Sequence, residues 1–555
     1  MGPEPTLTNR SLKILLPGLA LALSFCSLAY ELILGTKLSR VLGEGLFVYP
    51  ACLAAFLLCM GLGSARWARL RSVSVNPWQA LIRIEIALTA SGLCSVWLVD
   101  LCQAALPGSV ASPLAVGFAA VLWIGFLSGQ ELPILFAIAA KLEIDQALAR
   151  RVILFDYLAS LLASLGFTLI LFPALGLLKA AWLVALVNGA TLLVVLASAR
   201  RHRNAGDGLP EGRVGKISIL WASGLAMLLV LVGVLGDAAE GRVLKAIHLP
   251  RGRGVILEHV NTRYQEVLLF LGRVDGEAME APLAEALKKP DQYVLWGKLN
   301  GALQFVNVLG AATDEYHFHL VEPVVRFIPD VKRVLILGGG DGLPARQLVA
   351  HPSITHISMV DLDGEWVELT KTHPFMRMNT HDSLNDPRLS LYAMDAFKWV
   401  AQSRETFDAV FVDFPEELNL AAVRSISVQF MRDLRRILSE NGAVVFQGDA
   451  WIDESVLARI ARTAEEAQLY PIFGNQSSPV EPHEFRASQF IVFKSNEARL
   501  GYLRAYMESF LLSPRYEAER KAFGIMSYRF IMPGPEWISV YDPKILMDLW
   551  RHLTR

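Results

Sequence analysis

Seven stretches of this chain are apolar over about 20 residues each, the length a helix needs to cross the hydrocarbon core of a bilayer. They run roughly over 14–36, 46–64, 78–99, 113–140, 152–175, 177–199 and 217–236. Near residue 240 the composition changes to that of a soluble globular domain. A chain of 555 residues exceeds one ordinary core, and a charged fraction of 19% is low for a wholly soluble protein. The expected fold class is therefore an N-terminal α-helical multi-pass membrane domain joined to a soluble half. A tail (1–13) precedes the membrane domain (14–238, seven transmembrane helices), and a linker (239–252) follows it. The first apolar stretch is long, and no small-residue cleavage site leads into soluble sequence, so a cleaved signal peptide is not expected.

Charge orients the helices ambiguously. Arg10, Lys13, Arg66, Arg69, Arg71, Lys141, Arg150, Arg151, Arg200, Arg201, Arg203, Arg213 and Lys216 fall in alternate connections. Lys37, Arg40 and Lys179 lie in the loops opposite. The positive-inside rule then sets the N-terminus in the cytoplasm, and seven crossings set the soluble half outside. The basic cluster Arg242, Lys245, Arg251 and Arg253 favours the inside instead. The expected location is the cell (inner) membrane, with the side left open and the cytoplasm slightly favoured by the cofactor described below. Within the apolar part, Glu31, Glu85, Glu131 and Asp156 are costly unless paired or wet. They read either as a polar cavity for a small cation or as interhelical and interfacial polar groups. Cys26, Cys52, Cys59, Cys94 and Cys102 all lie in this half, lack metal-ligand spacing and read as core filling. A net charge of −1 without a basic stripe argues against nucleic acid.

The soluble half opens on short alternating segments at 255–258, 264–270, 293–299 and 303–306, with a hairpin signal at Asn300-Gly301. This predicts a small antiparallel β domain over 253–330. Next, Val334-Leu335-Ile336-Leu337 reads as a buried strand that runs into Gly338-Gly339-Gly340-Asp341-Gly342, where glycines let the backbone approach a ligand. A second strand, Ile357-Ser358-Met359-Val360, ends at Asp361, an acid placed to bond ribose hydroxyls. Further strands near 389–393, 409–412 and 443–446 alternate with helical pattern, clearest at 428–438. The prediction for 331–555 is a Rossmann-like doubly wound α/β sheet with its ligand at the carboxyl ends of the strands. Asp341, Asp361, Asp395 and Asp413 recur at those ends. Each alone reads as a helix cap. Together they suit a ligand with ribose hydroxyls, an amine and a cationic centre.

The span from about Leu257 to Phe446 resembles the spermidine/spermine synthase family of aminopropyltransferases, in particular the bacterial branch fused to a multi-pass membrane domain. The matching pieces are Thr262-Arg263-Tyr264-Gln265, Leu299-Asn300-Gly301-Ala302-Leu303-Gln304, Asp314-Glu315-Tyr316, Gly338 to Gly342 with Arg346, Asp361-Leu362-Asp363, Met394-Asp395-Ala396, and Asp413 with Pro415-Glu416. Tyr30-Glu31 and Gly129-Gln130-Glu131-Leu132-Pro133 resemble motifs of the fused membrane part. The resemblance implies decarboxylated S-adenosylmethionine as co-substrate, no metal, and a putrescine-like polyamine as acceptor. It implies that Gly338 and Gly340 cradle the donor, that Asp361 holds its ribose and Asp395 its adenine amine, and that Gln265 and Gln304 line its site. Asp341 then binds the aminopropyl amine, Asp413 orients and deprotonates the attacking amine, and Glu416 grips the acceptor's far ammonium, with His319 also on the substrate side.

The family pattern is not intact. Phe318-His319-Leu320 stands where the family has Tyr-His-Glu, Glu416-Glu417 replaces an Asp-Pro pair, and a polar insertion occupies 475–486. His317 and His319, at alternate positions, also read as structural or solvated side chains. Two other functions remain open: a methyltransferase-like enzyme using S-adenosylmethionine, and a non-catalytic membrane transporter or sensor that binds nucleoside or polyamine. Asp341 discriminates the donors, because a carboxylate there welcomes an amine tail and repels a carboxylate tail. A homodimer is left open.

Overall fold

The computed structural model describes residues 7–42, 48–70, 76–106, 111–140, 146–201, 223–234, 236, 242–243, 247, 254–277, 283–312, 314–414, 420–448, 454–477, 485–511, 517 and 525–529. They form two compact units, Met1–Gly252 and Arg253–Arg555.

Among the described residues the first unit is all helical: α1 (Leu7–Leu42), α2 (Val48–Leu70), α3 (Pro77–Ala105), α4 (Ala111–Ser128), α5 (Glu131–Ala140), α6 (Gln146–Gly166), α7 (Phe172–Arg201) and α8 (Ser223–Val234). Five helical runs are long and apolar enough to cross a membrane: Ile14–Val41, Val48–Arg69, Pro77–Ala105, Ala111–Ala140 and Ala147–Arg200. The fourth is broken at Gly129-Gln130. The fifth joins two of the predicted stretches, and Gly176 (φ 68°, ψ −173°) is non-helical where they meet. Unbent, 54 residues of helix would be roughly 80 Å long, far beyond a bilayer core. The bend lets α6 and α7 both pack on α1. The stretch predicted at 217–236 is described as the shorter α8, its first residues lying outside the described set.

Glycines set how closely α2 and α4 approach. A Cβ on Gly125 would stand 2.6 Å from the Phe56 carbonyl oxygen, and one on Gly129 only 1.9 Å from that of Met60. From the other side, a Cβ on Gly63 would stand 2.1 Å from the Phe126 oxygen. Apolar helices in an apolar solvent associate through this kind of backbone contact.

The second unit begins with a four-stranded antiparallel meander of β1 (Val255–Asn261), β2 (Glu266–Arg273), β3 (Tyr293–Leu299) and β4 (Ala302–Val308). Asn300 (φ 50°) and Gly301 (φ 84°) turn β3 into β4, as their dipeptide predicts. A short helix α9 (Leu283–Ala286) lies between β2 and β3, and α10 (Glu315–Phe327) leads into the main sheet. The remaining elements are β5 (Arg333–Gly338), α11 (Leu343–Val349), β6 (His356–Asp361), α12 (Gly364–Thr372), α13 (Pro374–Asn379), β7 (Leu389–Ala393), α14 (Ala396–Gln402) and β8 (Phe407–Asp413). There follow α15 (Leu420–Ser425), α16 (Val428–Ile437), β9 (Leu438–Gly448), α17 (Glu454–Glu466), β10 (Tyr470–Ser477), β11 (Phe485–Phe493), α18 (Asn496–Ala505) and β12 (Ile525–Arg529).

The main sheet has the order β12-β10-β11-β9-β8-β5-β6-β7, with β5 to β9 parallel and β10 to β12 added antiparallel. Val334, Leu335, Ile336 and Leu337 of β5 are buried on both faces, as a central parallel strand requires. The strand order reverses between β5 and β8, which opens a crevice at their carboxyl ends. The small sheet shares a core with the main one: Val267, Leu269 and Leu295 cluster with Leu343, Trp366 and Phe375. The two ends of the predicted polar insertion extend β10 and β11, with Asn475 paired to Ser488 and Ser477 to Phe485, and residues 478–484 lie outside the described residues.

Replacing Gly129 by leucine should separate α2 from α4 and lower the thermal unfolding midpoint in detergent by several degrees. Gly61→Leu is the control, because nothing lies within 4 Å of a Cβ at that position. Equal midpoints for the two variants would contradict the close approach.

Candidate active site

Gly338 ends β5 opposite Asp413, which ends β8. Its φ of 85° and a distance of only 2.1 Å from a built Cβ to the Asp413 carbonyl oxygen leave room for glycine alone. Gly339 N–H then donates to that same oxygen (3.2 Å). The glycine bend is thus fastened to the backbone of Asp413. On its other side, a Cβ on Gly340 would stand 2.7 Å from Asp361 Oδ2 and 2.7 Å from the Trp366 ring. Gly340 and Asp361 therefore form one surface of the crevice.

The Asp413 carboxylate is held by side chains. Tyr316 Oη donates to Oδ1 (2.8 Å), and His317 Nε2 stands 3.8 Å from Oδ2. Asp314 caps α10 by accepting from His317 N (2.9 Å), and the same Oδ1 accepts from His317 Nδ1 (2.8 Å). Behind it, the buried Arg346 donates to Asp314 Oδ2 (2.5 Å), to the Asn379 carbonyl (2.8 Å) and to the Ala311 carbonyl (3.2 Å). A chain of charge thus runs from Arg346 through Asp314 and His317 to Asp413.

Electrostatics follow from this order. Burial alone would lower the His317 pKa, but the Asp314 carboxylate, with Asp413 and Asp341 beyond it, raises it to about 10. Burial would raise Asp314, yet His317 and Arg346 hold it well below the usual carboxylate range. Burial lifts Asp341 to about 6 against the pull of His317, with Asp413 adding repulsion. Asp361 also rises to about 6, chiefly through burial, although Asp363 N–H supports its charge. One nitrogen of His317 and one oxygen each of Asp341 and Asp413 lie within 4.8 Å of one another. The arrangement is chemically suited to amines.

Residues 313–473 match the spermine/spermidine synthase domain. Over most of the chain, polyamine aminopropyltransferase 1 of Streptomyces coelicolor is 30% identical across 467 residues, covering 81% of this chain and 80% of that protein. The chain belongs to this family of polyamine aminopropyltransferases. The polyamine aminopropyltransferase of Leptospira interrogans is 28% identical across 465 residues, covering 82% of this chain and 84% of its own. A spermidine synthase crystal structure from Thermotoga maritima aligns over 48% of this chain and 82% of that one, at 17% identity and a TM-score of 0.36. The protein is thus a transferase of polyamine biosynthesis, and its second unit carries the aminopropyl-transfer chemistry.

Within this aminopropyltransferase the predicted residues divide. Gly338, Gly340, Asp341, Asp361 and Asp413 meet at the crevice. Asp341 and Asp361 each also accept a local backbone N–H, from Leu343 (2.9 Å) and Asp363 (2.8 Å). Asp395 caps α14 through Lys398 N (3.0 Å) and stands 3.6 Å from Arg424. Gln265 donates to Asp363 Oδ2 (2.9 Å), which also receives Thr262 Oγ1 (2.6 Å). That contact ties the turn after β1 to the start of α12. Gln304 lies half-buried on β4. Glu416 lies outside the described residues.

His319 is set apart from His317 on α10. It is buried with its ring edge against Phe318, 5.4 Å between centroids. Residues 317 and 319 sit on a helix, about 200° apart around its axis, so only His317 turns to the crevice. Position 318 is Phe and carries no phenol, and the phenol at Asp413 comes from Tyr316. In the sequence reading Asp314, Tyr316 and Arg346 entered only as matching motif residues, and His317 as a structural or solvated side chain. The signal was available: an Asp followed three residues later by a polar donor is a helix start, which puts residues 315 to 317 in a first turn.

The folded His317 pKa lies above the ordinary 6.5, so its stabilising contribution is complete below about 6.5 and disappears as pH rises through about 10. The unfolding midpoint should therefore fall from neutral toward pH 10. His317→Gln should flatten that fall in thermal melts recorded across the range. A wild-type slope unchanged in the variant would rule out His317 as its source.

Proposed function

We propose that this chain is a membrane-anchored aminopropyltransferase that moves an aminopropyl group from decarboxylated S-adenosylmethionine to a putrescine-like amine, with Asp413 as the base. The observation that carries this reading is the placement of Asp341 and Asp413 within 4.8 Å of each other and of His317. Two acids so near suit two amines, the donor's tail on Asp341 and the attacking nitrogen on Asp413. An S-adenosylmethionine carboxylate beside Asp341 would be repelled, which disfavours methyl transfer.

In this reading the acceptor nitrogen, freed of one proton, attacks the methylene next to the donor sulfonium. The C–N bond forms as the C–S bond breaks, the sulfur keeps the electron pair as a neutral thioether nucleoside, and the surplus proton passes to Asp413. A free alkylamine is protonated at neutral pH and cannot attack. The cationic His317 helps here, because a positive charge beside the acceptor disfavours its ammonium form. Tyr316 holds the other oxygen of Asp413 in place. Asp361, with Gly338 and Gly340, takes the ribose side of the donor. Gln265 and Gln304 border the same site, and Asp395 is the candidate for the adenine amine, although its cap on α14 competes for the carboxylate. Glu416 and its neighbours complete the acceptor end. The apolar helices of the first unit anchor the chain.

Incubating the purified chain with decarboxylated S-adenosylmethionine and a panel of amines, followed by mass analysis, should show an amine heavier by one aminopropyl unit. Donor binding without product from any amine would overturn the reading. Asp413→Asn should reduce the rate by about 10²-fold or more, on the scale of a lost general base.

The pH dependence follows from Asp341 and Asp361. Both carry raised values near about 6, so both become neutral as pH falls below that point. Donor affinity should weaken there, and Asp341→Asn should weaken it at neutral pH by about tenfold while sparing a nucleoside thioether without the amine tail. Equal losses for the two ligands would remove Asp341 from the amine's site.

A further inference from the structure

A second cluster of chemically costly groups lies inside the apolar helical unit, and aminopropyl transfer does not use it. It is built around the break between α4 and α5. Gly129 N–H still reaches the Gly125 carbonyl (2.9 Å) and Gln130 Nε2 donates to the Phe126 carbonyl (3.0 Å), but the helix restarts only at Glu131. Ser27 of α1 donates to Glu131 Oε1 (3.0 Å). Glu85 of α3 is near enough to Glu131 for their charges to interact. Asn188 of α7 lies against the Glu85 carboxyl and against the Tyr30 hydroxyl. Tyr30 itself is seated over Gly92 of α3, where a Cβ would stand 2.2 Å from its ring. Four helices and a helix break thus bring their polar groups to one place.

These groups are enclosed, and several of their polar atoms are unmatched. Glu85 is 0% exposed, Tyr30 and Asn188 1% each, and Glu131 4%. Both oxygens of Glu85, Oδ1 of Asn188 and the hydroxyl of Tyr30 have no hydrogen-bond partner among the described residues. No Lys or Arg among the described residues pairs with either carboxyl, and Lys37 of α1 is taken by Asp100 of α3. Two carboxyls in an apolar interior, one of them with both oxygens unmatched, call for a positive charge. The donors are all oxygen: two carboxyls, an amide carbonyl, a phenol and, through Ser27, a hydroxyl. The other titratable groups facing the pair are Asp156 of α6, whose charge reaches Glu131, and Cys26 of α1, which lies near both carboxyls, and neither joins them at metal-binding range. Broken apolar helices are where membrane proteins build such sites.

We propose that Glu85 and Glu131, with Asn188 Oδ1 and the Tyr30 hydroxyl, form an enclosed site for a small cation, a proton or a sodium-sized ion. The proposal rests on the reading of this unit as membrane-embedded. It gives the first unit a binding function of its own, separate from anchoring and from the crevice of the second unit.

The test uses the full chain in membrane vesicles and a hydrophobic carbodiimide, which couples to protonated carboxyls in apolar surroundings. The labelled positions are mapped by mass spectrometry. Glu85 or Glu131 should be labelled, and the label should fall several-fold on raising the pH, which assigns a proton, or on replacing choline by sodium at fixed pH, which assigns the metal ion. No label at either position, or a label indifferent to both pH and sodium, would overturn the site. Glu85→Gln and Glu131→Gln should each abolish the label at the substituted position and leave aminopropyl transfer unchanged, which also reports that the variants are folded. Washing the vesicles with alkaline carbonate separates the premise from the proposal, since release of the chain would refute membrane embedding whatever the labelling shows.

Discussion

The buried ion pair between Arg346 and Asp314, continued through His317, fixes the position and charge of everything around Asp413. Arg346 belongs to α11, directly after the glycine bend, and its remaining donors reach the carbonyls of Asn379 and Ala311. One side chain thus joins the loop before α10, the helix after β5 and the end of α13. Removing one member of such a buried pair strands the other's charge at a cost of about 3–5 kcal/mol, whereas the intact pair adds little stability. Its worth is geometric and electrostatic. With Asp314 ionised behind it, His317 stays cationic, and a cation is what the acids at the strand ends need beside them before substrate arrives.

The second constraint is steric. Gly338 brings β5 and the end of β8 closer than any side chain would permit, so the bend after β5 and the carboxylate after β8 share one wall. Gly340 does the same toward Asp361. In the proposed reaction the donor's sulfonium and the attacking amine would be held by groups from adjacent strands. Placing reacting groups on rigid elements in this way is how a site gains its rate from orientation.

Much of this was legible in the chain. The strand, glycine bend and terminal acid at 334–342 and 357–361 carry their own period and turn chemistry, and β5 and β6 fall there. What could not be read was rotation about a helix axis. His317 and His319 look equivalent as alternate letters, but α10 turns them to different environments. Gln265 shows a related limit: its partner is Asp363, 98 residues away, and only the folded chain brings Thr262, Gln265 and Asp363 together. In the apolar unit, composition located the helices well. The join at Gly176 and the break at Gly129-Gln130 depend on backbone geometry that hydropathy does not record.

The protonation state of His317 tests this account most directly. Nitrogen-15 NMR of the histidine rings, assigned by comparison with His317→Gln, should show an imidazolium at neutral pH that deprotonates only near about 10. Asp314→Asn should bring that transition down toward the ordinary histidine range. A neutral His317 ring at pH 7 in the folded wild-type chain would contradict the charge chain, and with it the electrostatic role assigned to the residues around Asp413.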